Sequence, residues 1–452
     1  MITARTLAYQ ILLQLDRAPV HPDRLIRTAI DRHAGLDPRD RALLTELVYG
    51  VLRWQGRLDW YIDTLAGMKP SKIDAAVRIL LRLALYQVTL LDRVPAHAAV
   101  NEAVKSAKAA LPRHVVGFVN ALLREAVRRH PDWDFPSARE NPVCHLAVTT
   151  SHPEWLVRHL LAEWGPEETR AFCHAGNTVA PLVLRVNPLK ASVEKVLARL
   201  HSEGIEARPS PLLENAVRVR SPRMDITQTE THKLGWFQIQ DEASQLVSLA
   251  VGPKPGERIL DLCAGFGGKT AHLAALMENR GEIVSVDQAA WKLEDLRRNI
   301  ERQGIAIVRT IAADALGLSP SDTGLFDRVL LDAPCTGFGV LRRNPDIKWR
   351  RHPKDPHRFS RTQKALLRQA ARFVKRGGTL TYATCTVFAA ENEDVAEDFT
   401  ASQTGWIPEP AAAKLPETCR NLAEGPYLKT LPHRHDVDGF FIACWRNIED
   451  IP

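Results

Sequence analysis

The seven cysteines of this sequence (144, 173, 263, 335, 385, 419 and 444) contain no Cys-x-x-Cys pair and no spacing suited to zinc. Their odd number and irregular intervals argue against a disulfide framework, so free thiols and no metal site are expected. Long apolar runs are missing as well. The most apolar stretch, residues 79–91, is 13 residues long and carries Arg82, too short and too polar to span a bilayer. Residues 1–15 are amphipathic and lack the apolar centre and cleavage site of a signal peptide. There is no internal repeat and no low-complexity tract. These absences predict a cytoplasmic chain with no membrane partner.

What is present is an ordinary globular composition, 45% hydrophobic and 25% charged, in a chain of 452 residues, long enough for two to four domains. The formal charge of +7 leans toward a polyanionic partner, and its distribution sharpens that lean. Residues 1–130 hold 20 Lys+Arg against 12 Asp+Glu, whereas the remainder holds 40 against 41. A basic N-terminal third suits phosphate contact; a merely solvated basic surface is the alternative.

Apolar residues recur at helical spacing through that third. Leu7, Ile11, Leu12 and Leu15 share one face, and Leu43, Leu44, Leu47, Val48 and Val51 another. Further helices are expected over 58–65, 73–91, 98–110 and 115–129, punctuated by Pro95, Pro112 and Pro131. An all-α domain over 1–140 is therefore expected, ending in a proline-rich linker at 130–142. Residues 145–235 mix helical and strand patterns and predict a small α+β module, with a proline-containing connection at 209–222. From 236 to 448 short apolar strands alternate with helices. This is the signature of a Rossmann-like α/β domain around a parallel sheet, whose ligands lie beyond the carboxyl ends of its strands.

Chemistry-bearing residues gather at those ends. Leu260-Asp-Leu-Cys-Ala-Gly-Phe-Gly-Gly-Lys-Thr270 is a glycine-rich turn between strand and helix, where backbone can approach a ligand closely. It is neither a P-loop nor GxGxxG. Asp287 closes the next strand, 22 residues after Gly265, where an acid can accept from ribose hydroxyls. Asp314 stands where a third strand should end and could face an adenine. Singly these are ordinary capping aspartates; together they favour an adenosine-containing cofactor. Two cysteines follow, Cys335 in Leu331-Asp-Ala-Pro-Cys-Thr-Gly-Phe-Gly339 and Cys385 in Tyr382-Ala-Thr-Cys-Thr-Val387. Either could be a small buried hydrophobe. Beside a nucleoside site, a thiolate that adds to carbon 6 of cytosine would turn carbon 5 into a nucleophile for a methyl group. Asp332 could accept from the exocyclic amine of that base. Residues 342–361 carry eight Lys/Arg against two Asp, and Trp349 and Phe359 there offer flat faces for single-stranded RNA; a solvated basic loop is the alternative.

These motifs resemble the RNA cytosine-5 methyltransferases of the Sun/Fmu type, also called RsmB, which modify small-subunit ribosomal RNA. The resemblance covers nearly the whole chain. It rests on Gln240-Asp-Glu-Ala-Ser244, on the loop from Cys263 to Lys269, and on Asp-Ala-Pro-Cys followed by Val340-Leu-Arg-Arg-Asn-Pro-Asp-Ile-Lys-Trp349. Tyr-Ala-Thr-Cys followed by Glu391-Asn392, and Asp438-Gly-Phe-Phe441, complete it. Arg41-Ala-Leu-Leu-Thr-Glu-Leu-Val-Tyr-Gly50 and Phe118-Val-Asn-Ala-Leu-Leu-Arg124 are similar to the RNA-binding antitermination factor NusB.

The resemblance implies S-adenosylmethionine as cofactor, held by Cys263, Ala264, Gly265, Phe266, Gly267, Gly268, Lys269, Asp287, Lys292, Asp314 and Asp332. It implies Cys385 as the nucleophile and Cys335 as an aid to product release, with Asp332 at the reacting base. The substrate would be free 16S ribosomal RNA and the enzyme a monomer. The cofactor loop departs from the family's usual Ala-Pro-Gly-Gly-Lys by placing Phe266 where proline is common, which removes a fixed φ. Rival readings are a related enzyme acting on transfer RNA or 23S ribosomal RNA, a non-catalytic RNA-binding assembly factor, and a nicotinamide oxidoreductase. The absence of GxGxxG weighs against the oxidoreductase.

Overall fold

A computed structural model describes residues 2–18, 20–92, 94–220 and 225–449. The chain forms two compact units, one of residues 1–178 with 344–350, the other of 179–343 with 351–452.

The first unit is helical: α1 (Ala4–Arg17), α2 (Pro22–Arg32), α3 (Pro38–Ala66), α4 (Ala75–Leu90), α5 (Ala96–Ala110), α6 (Arg113–Arg129), α7 (Pro142–Thr150) and α8 (Glu154–Ala175). Local chemistry sets the boundaries. Asp37 caps α3 by accepting from Asp40 N, Pro38 fits its first turn, and Gly67 ends it at φ 60°. The two separate helical faces expected over 43–51 and 58–65 are one continuous helix. The apolar stripes of α1, α3 and α4 meet in the core, where Leu44, Leu47, Leu81 and Leu85 are fully buried. Gly50 is required there, because a Cβ would fall 2.0 Å from the Tyr86 ring. Arg82, the charge inside the most apolar run, forms a two-pronged ion pair with Asp59 at 2.8 Å.

Two expectations change here. The supposed linker is a packed strap: Phe135 stacks on Trp60 with centroids 5.0 Å apart, and Trp133 lies 4.1 Å from Tyr61. Nor do Lys348 and Trp349 face outward as RNA contacts. Lys348 is fully buried and donates to Arg53 O (2.7 Å), Ser151 O (2.9 Å) and Asn177 Oδ1 (3.0 Å). The Trp349 indole donates to Leu52 O at 2.6 Å, and its ring would lie 2.6 Å from a Cβ on Gly56. Burial pushes the Lys348 pKa well below the usual lysine range, and three oxygens answer its amino group, one on a carbonyl inside α3 and two just past the ends of α7 and α8. Phe359 is flanked by Arg351 and Arg358, whose guanidinium carbons lie 4.9 and 5.2 Å from its ring centroid.

The second unit holds two sheets. The smaller is antiparallel, in the order β2 (Ala207–Pro209), β3 (Ala216–Val219), β1 (Leu182–Val186), β4 (Phe237–Ile239). Residues 221 and 222 of the expected connection lie outside the described residues. The larger sheet has five parallel strands in the order β7 (Val308–Ala312), β6 (Glu282–Asp287), β5 (Arg258–Leu262), β8 (Phe326–Asp332), β9 (Val374–Thr384). It then turns antiparallel through β13 (Phe440–Asn447), which pairs with β9, β12 (Tyr427–Thr430) and β10 (Trp406–Glu409); β11 (Ala423–Glu424) completes the edge. The sheet is therefore mixed, with an antiparallel extension beyond the parallel core that the strand–helix alternation predicts. Arg185, fully buried on β1, ties the smaller sheet to two helices of the larger one by donating to Gly268 O at 2.6 Å and Gln303 Oε1 at 3.1 Å.

Candidate active site

At the carboxyl end of β5 the chain makes the glycine turn. Cys263 takes φ 61°, Gly265 57° and Gly267 78°, so the turn runs through the left-handed region three times in five residues. A Cβ on Gly267 would lie 2.4 Å from Leu296, so glycine also permits close packing on helix Ala290–Gln303. The turn is tied to β6 by Gly265 N–H, which donates to Asp287 Oδ2 at 2.9 Å. Asp287 Oδ1 accepts from Ala289 N at 2.8 Å.

Beside this turn is a cavity of about 320 Å³. Cys263, Asp287, Lys292, Asp314 and Asp332 line it, five of the residues expected from sequence. Ala264, Gly265, Phe266, Gly267, Gly268 and Lys269 are not on its wall. Phe266 is 46% exposed and packs edge-on against Trp291 at 5.5 Å. Lys269 turns instead to Asp332, with Nζ–Oδ2 at 2.6 Å. Burial opposes its charge, but Asp332 foremost and then Cys385 raise the Lys269 pKa, so it stays an ammonium. Asp261, beneath the turn, is fully buried; burial pushes its pKa up to about 7 against the bond from Thr270. Burial, joined by Asp332 and Asp287, pushes the Cys263 thiol up to about 12. That thiol is an inert wall, not a nucleophile.

Sequence reading missed Gln288, Leu316, Thr362 and Leu366 on the same wall. Gln288 directly follows Asp287, which is a usable signal. Thr362 and Leu366 share a face of helix Asp355–Ala371 by their i,i+4 spacing, but nothing local says that this face meets the cleft. The cavity suits an adenosine cofactor on chemical grounds. Asp287 and Asp314 offer acceptors to hydroxyl and amine groups, while Leu316 and Leu366 offer apolar surface to a base.

One strand along, the two cysteines expected to carry the chemistry meet. Cys335 in the loop after β8 and Cys385 after β9 have sulfur atoms 3.2 Å apart. Parallel pairing of Asp332 with Ala383 brings the strand ends into register. Gly339 N–H donates to Cys385 O at 2.9 Å, a contact a side chain would block, since its Cβ would lie 2.8 Å from that oxygen. Asn392 steadies the second loop: its Oδ1 accepts from Thr384 Oγ1 at 2.5 Å and its Nδ2 donates to Thr386 O at 3.1 Å. The hydrogen bond with Cys385, then burial, raises the Cys335 pKa well above its usual value. Cys335 therefore keeps its proton. Among the described residues no cluster of His, Cys, Asp and Glu could hold a metal ion, and no helix is long and apolar enough to cross a membrane.

Comparison with known proteins fits this geometry. Residues 248–446 match the model of 16S rRNA methyltransferase RsmB/F, residues 2–128 the NusB family, and residues 152–227 the RsmF/B-like ferredoxin-like domain. The "Probable ribosomal RNA small subunit methyltransferase B" of Bacillus subtilis is 38% identical over 98% of both chains. The Pseudomonas syringae protein named "Ribosomal RNA small subunit methyltransferase B" is 36% identical, over 90% of this chain and 89% of its own. Among solved structures, PH0851 shares 30% identity with a TM-score of 0.83 over 98% of both chains. The fold is also that of NSun6 from Pyrococcus horikoshii, solved with SFG, at a TM-score of 0.59 over 66% of this chain and 99% of that one. With a NusB-like helical domain, a small middle domain and a mixed-sheet Rossmann-like domain, the chain belongs to the RsmB/F family of S-adenosylmethionine-dependent 16S rRNA methyltransferases.

Proposed function

We propose that this enzyme forms 5-methylcytosine in free 16S ribosomal RNA, acting as a monomer, with Cys385 as nucleophile and Cys335 as the group that assists release. The observation that carries the reading is the pair of sulfur atoms 3.2 Å apart, one strand from the cofactor cavity. A single thiol would suffice to activate the base; a second, protonated thiol beside it has a use only when the first must also leave.

When bound, S-adenosylmethionine supplies an electrophilic methyl group. Cys385, as thiolate, adds to carbon 6 of an exposed cytosine, and the electron pair of the 5,6 double bond becomes available at carbon 5. Asp332, held by Lys269, is oriented toward the cavity and can accept from the exocyclic amine of the base. After the methyl group is in place, carbon 5 gives its proton to a solvent water, that electron pair re-forms the 5,6 double bond, and the bond from carbon 6 to the sulfur of Cys385 breaks with its electrons leaving on sulfur. Cys335 stands close enough to protonate it. Residues 1–140 would bind the RNA, 145–235 would form the connecting module, and 236–448 would perform the chemistry. Cys263, Asp287, Lys292, Asp314 and Asp332 would hold the cofactor, with the turn from Ala264 to Lys269 beside it.

The test is transfer of radiolabelled methyl to free 16S RNA, followed by bisulfite mapping. One protected cytosine, absent with Cys385→Ala, is the expected result. Label in transfer RNA or 23S RNA instead would keep the mechanism and replace the substrate. Transfer to no RNA would favour the assembly-factor reading.

A further inference from the structure

Each thiol of the pair is followed by a threonine, Thr336 after Cys335 and Thr386 after Cys385. The two hydroxyls are hydrogen-bonded to each other at 2.7 Å. One buried carboxylate lies behind both. Glu391 Oε1 accepts from Thr336 Oγ1 at 2.5 Å, and the single hydroxyl proton of Thr386 is shared between Thr336 Oγ1 and Glu391 Oε1, the latter 3.3 Å away. Its Oε2 accepts from Thr336 N at 2.9 Å and from Gln363 Nε2 at 3.1 Å. Gln363 in turn donates to Pro334 O, on the other side of Cys335, at 2.9 Å. The backbone O of Glu391 accepts from Tyr382 O–H at 2.6 Å, anchoring the brace to β9. Glu391 is fully buried. Sinking a carboxyl group is costly unless it is fully hydrogen-bonded, and a pair of loops could be packed with apolar groups at less cost. What this arrangement provides, and apolar packing would not, is a directional link between the residues next to the two sulfurs.

We propose that Glu391, through hydrogen bonds to both threonines that follow the thiols, is the positioning residue that fixes Cys335 against Cys385. The inference rests on the two-thiol mechanism proposed above. Glu391 touches neither sulfur, and its action is geometric. A displacement on the order of 1 Å at either sulfur would cost about 100-fold in rate. The geometry also predicts which substitution is tolerated. In Glu391→Gln the amide oxygen can take the two N–H donors and the amide nitrogen can donate to the two hydroxyls, so the brace survives without charge. In Glu391→Leu the Thr336 N–H and the Gln363 amide lose their acceptor.

The experiment is single-turnover methyl transfer from labelled cofactor to free 16S RNA, with covalent protein–RNA adduct read on a denaturing gel and cofactor affinity by calorimetry. Glu391→Leu should lose about 100-fold in transfer rate with cofactor affinity within about threefold of the parent, while Glu391→Gln restores most of the rate. Thr336→Val should accumulate adduct, because the releasing thiol is misplaced; Thr386→Val should slow adduct formation, because the attacking thiol is. These two variants keep the test intact should Glu391→Leu fail to fold. Parental rates in Thr336→Val and Thr386→Val, or a Glu391→Gln rate as low as that of Glu391→Leu, would overturn the brace. If the parent enzyme makes no 5-methylcytosine, or Cys385→Ala still transfers label, the underlying mechanism fails first and the brace with it.

Discussion

Replacing Lys348 by methionine tests whether the segment 344–350 is structural. Methionine matches the lysine stem in length and apolar character, so the change is confined to the terminal amino group. Three acceptors lose their donor: Arg53 O, Ser151 O and Asn177 Oδ1. Asn177 cannot simply turn its amide around, because its Nδ2 already donates to Thr150 O at 2.5 Å. At a net of about 1 kcal/mol for each hydrogen bond the loss is about 3 kcal/mol. For a unit of this size each kcal/mol moves the melting temperature by about 2–4 °C, so the helical unit of Lys348→Met should melt about 6–12 °C lower. Differential scanning calorimetry of the full chain reads this directly. RNA affinity measured well below the transition should keep its dependence on salt. A solvent-facing lysine on phosphate would give the opposite pattern, an unchanged melting temperature and a salt slope reduced by about one. A shift below about 2 °C would refute the packing argument.

Three further outcomes follow from the site. Cys335→Ala should retain attack by Cys385 and lose release, trapping a covalent adduct visible as a shifted band when RNA and cofactor are present; no band would refute the division of labour between the thiols. Asp261 has its pKa raised by burial from 3.8 to about 7, so the folded state binds more protons than the unfolded state in that interval. Its contribution to stability is complete below about pH 4 and is lost as pH rises toward 7, at up to about 1.4 kcal/mol per pH unit. Asp261→Asn should remove this slope from urea-unfolding free energies measured between pH 4 and 7; an identical slope in the variant would show that other groups carry it. Phe266→Ala removes an edge-on aromatic contact outside the cavity wall, worth about 0.5–1.5 kcal/mol, and should weaken cofactor binding by no more than about tenfold in calorimetric titration. A larger loss would place Phe266 on the cofactor.

What the sequence determined by itself was everything carried by local spacing. The glycine turn after Leu262 and Asp287 at the end of the following strand are fixed by residues within a few positions of one another. The NusB-like helices and the order of the three domains were legible for the same reason, since periodicity is a short-range property. Tertiary structure decided what depends on distant segments. Trp349 and Lys348 read as RNA-facing because they are aromatic and basic, yet the carbonyls of Leu52, Arg53 and Ser151 bury them. Trp133 and Phe135 read as linker because prolines surround them, yet they cover Trp60 and Tyr61. Two cysteines 50 residues apart acquire a shared chemistry only when β8 pairs with β9 in the register that sets Asp332 beside Ala383. Glu391 looks like an acidic residue at a helix start until both loops close over it. Hydrogen-bond partners and burial are properties of the packed chain, and no pattern in the string of residues specifies which distant carbonyl or hydroxyl will arrive.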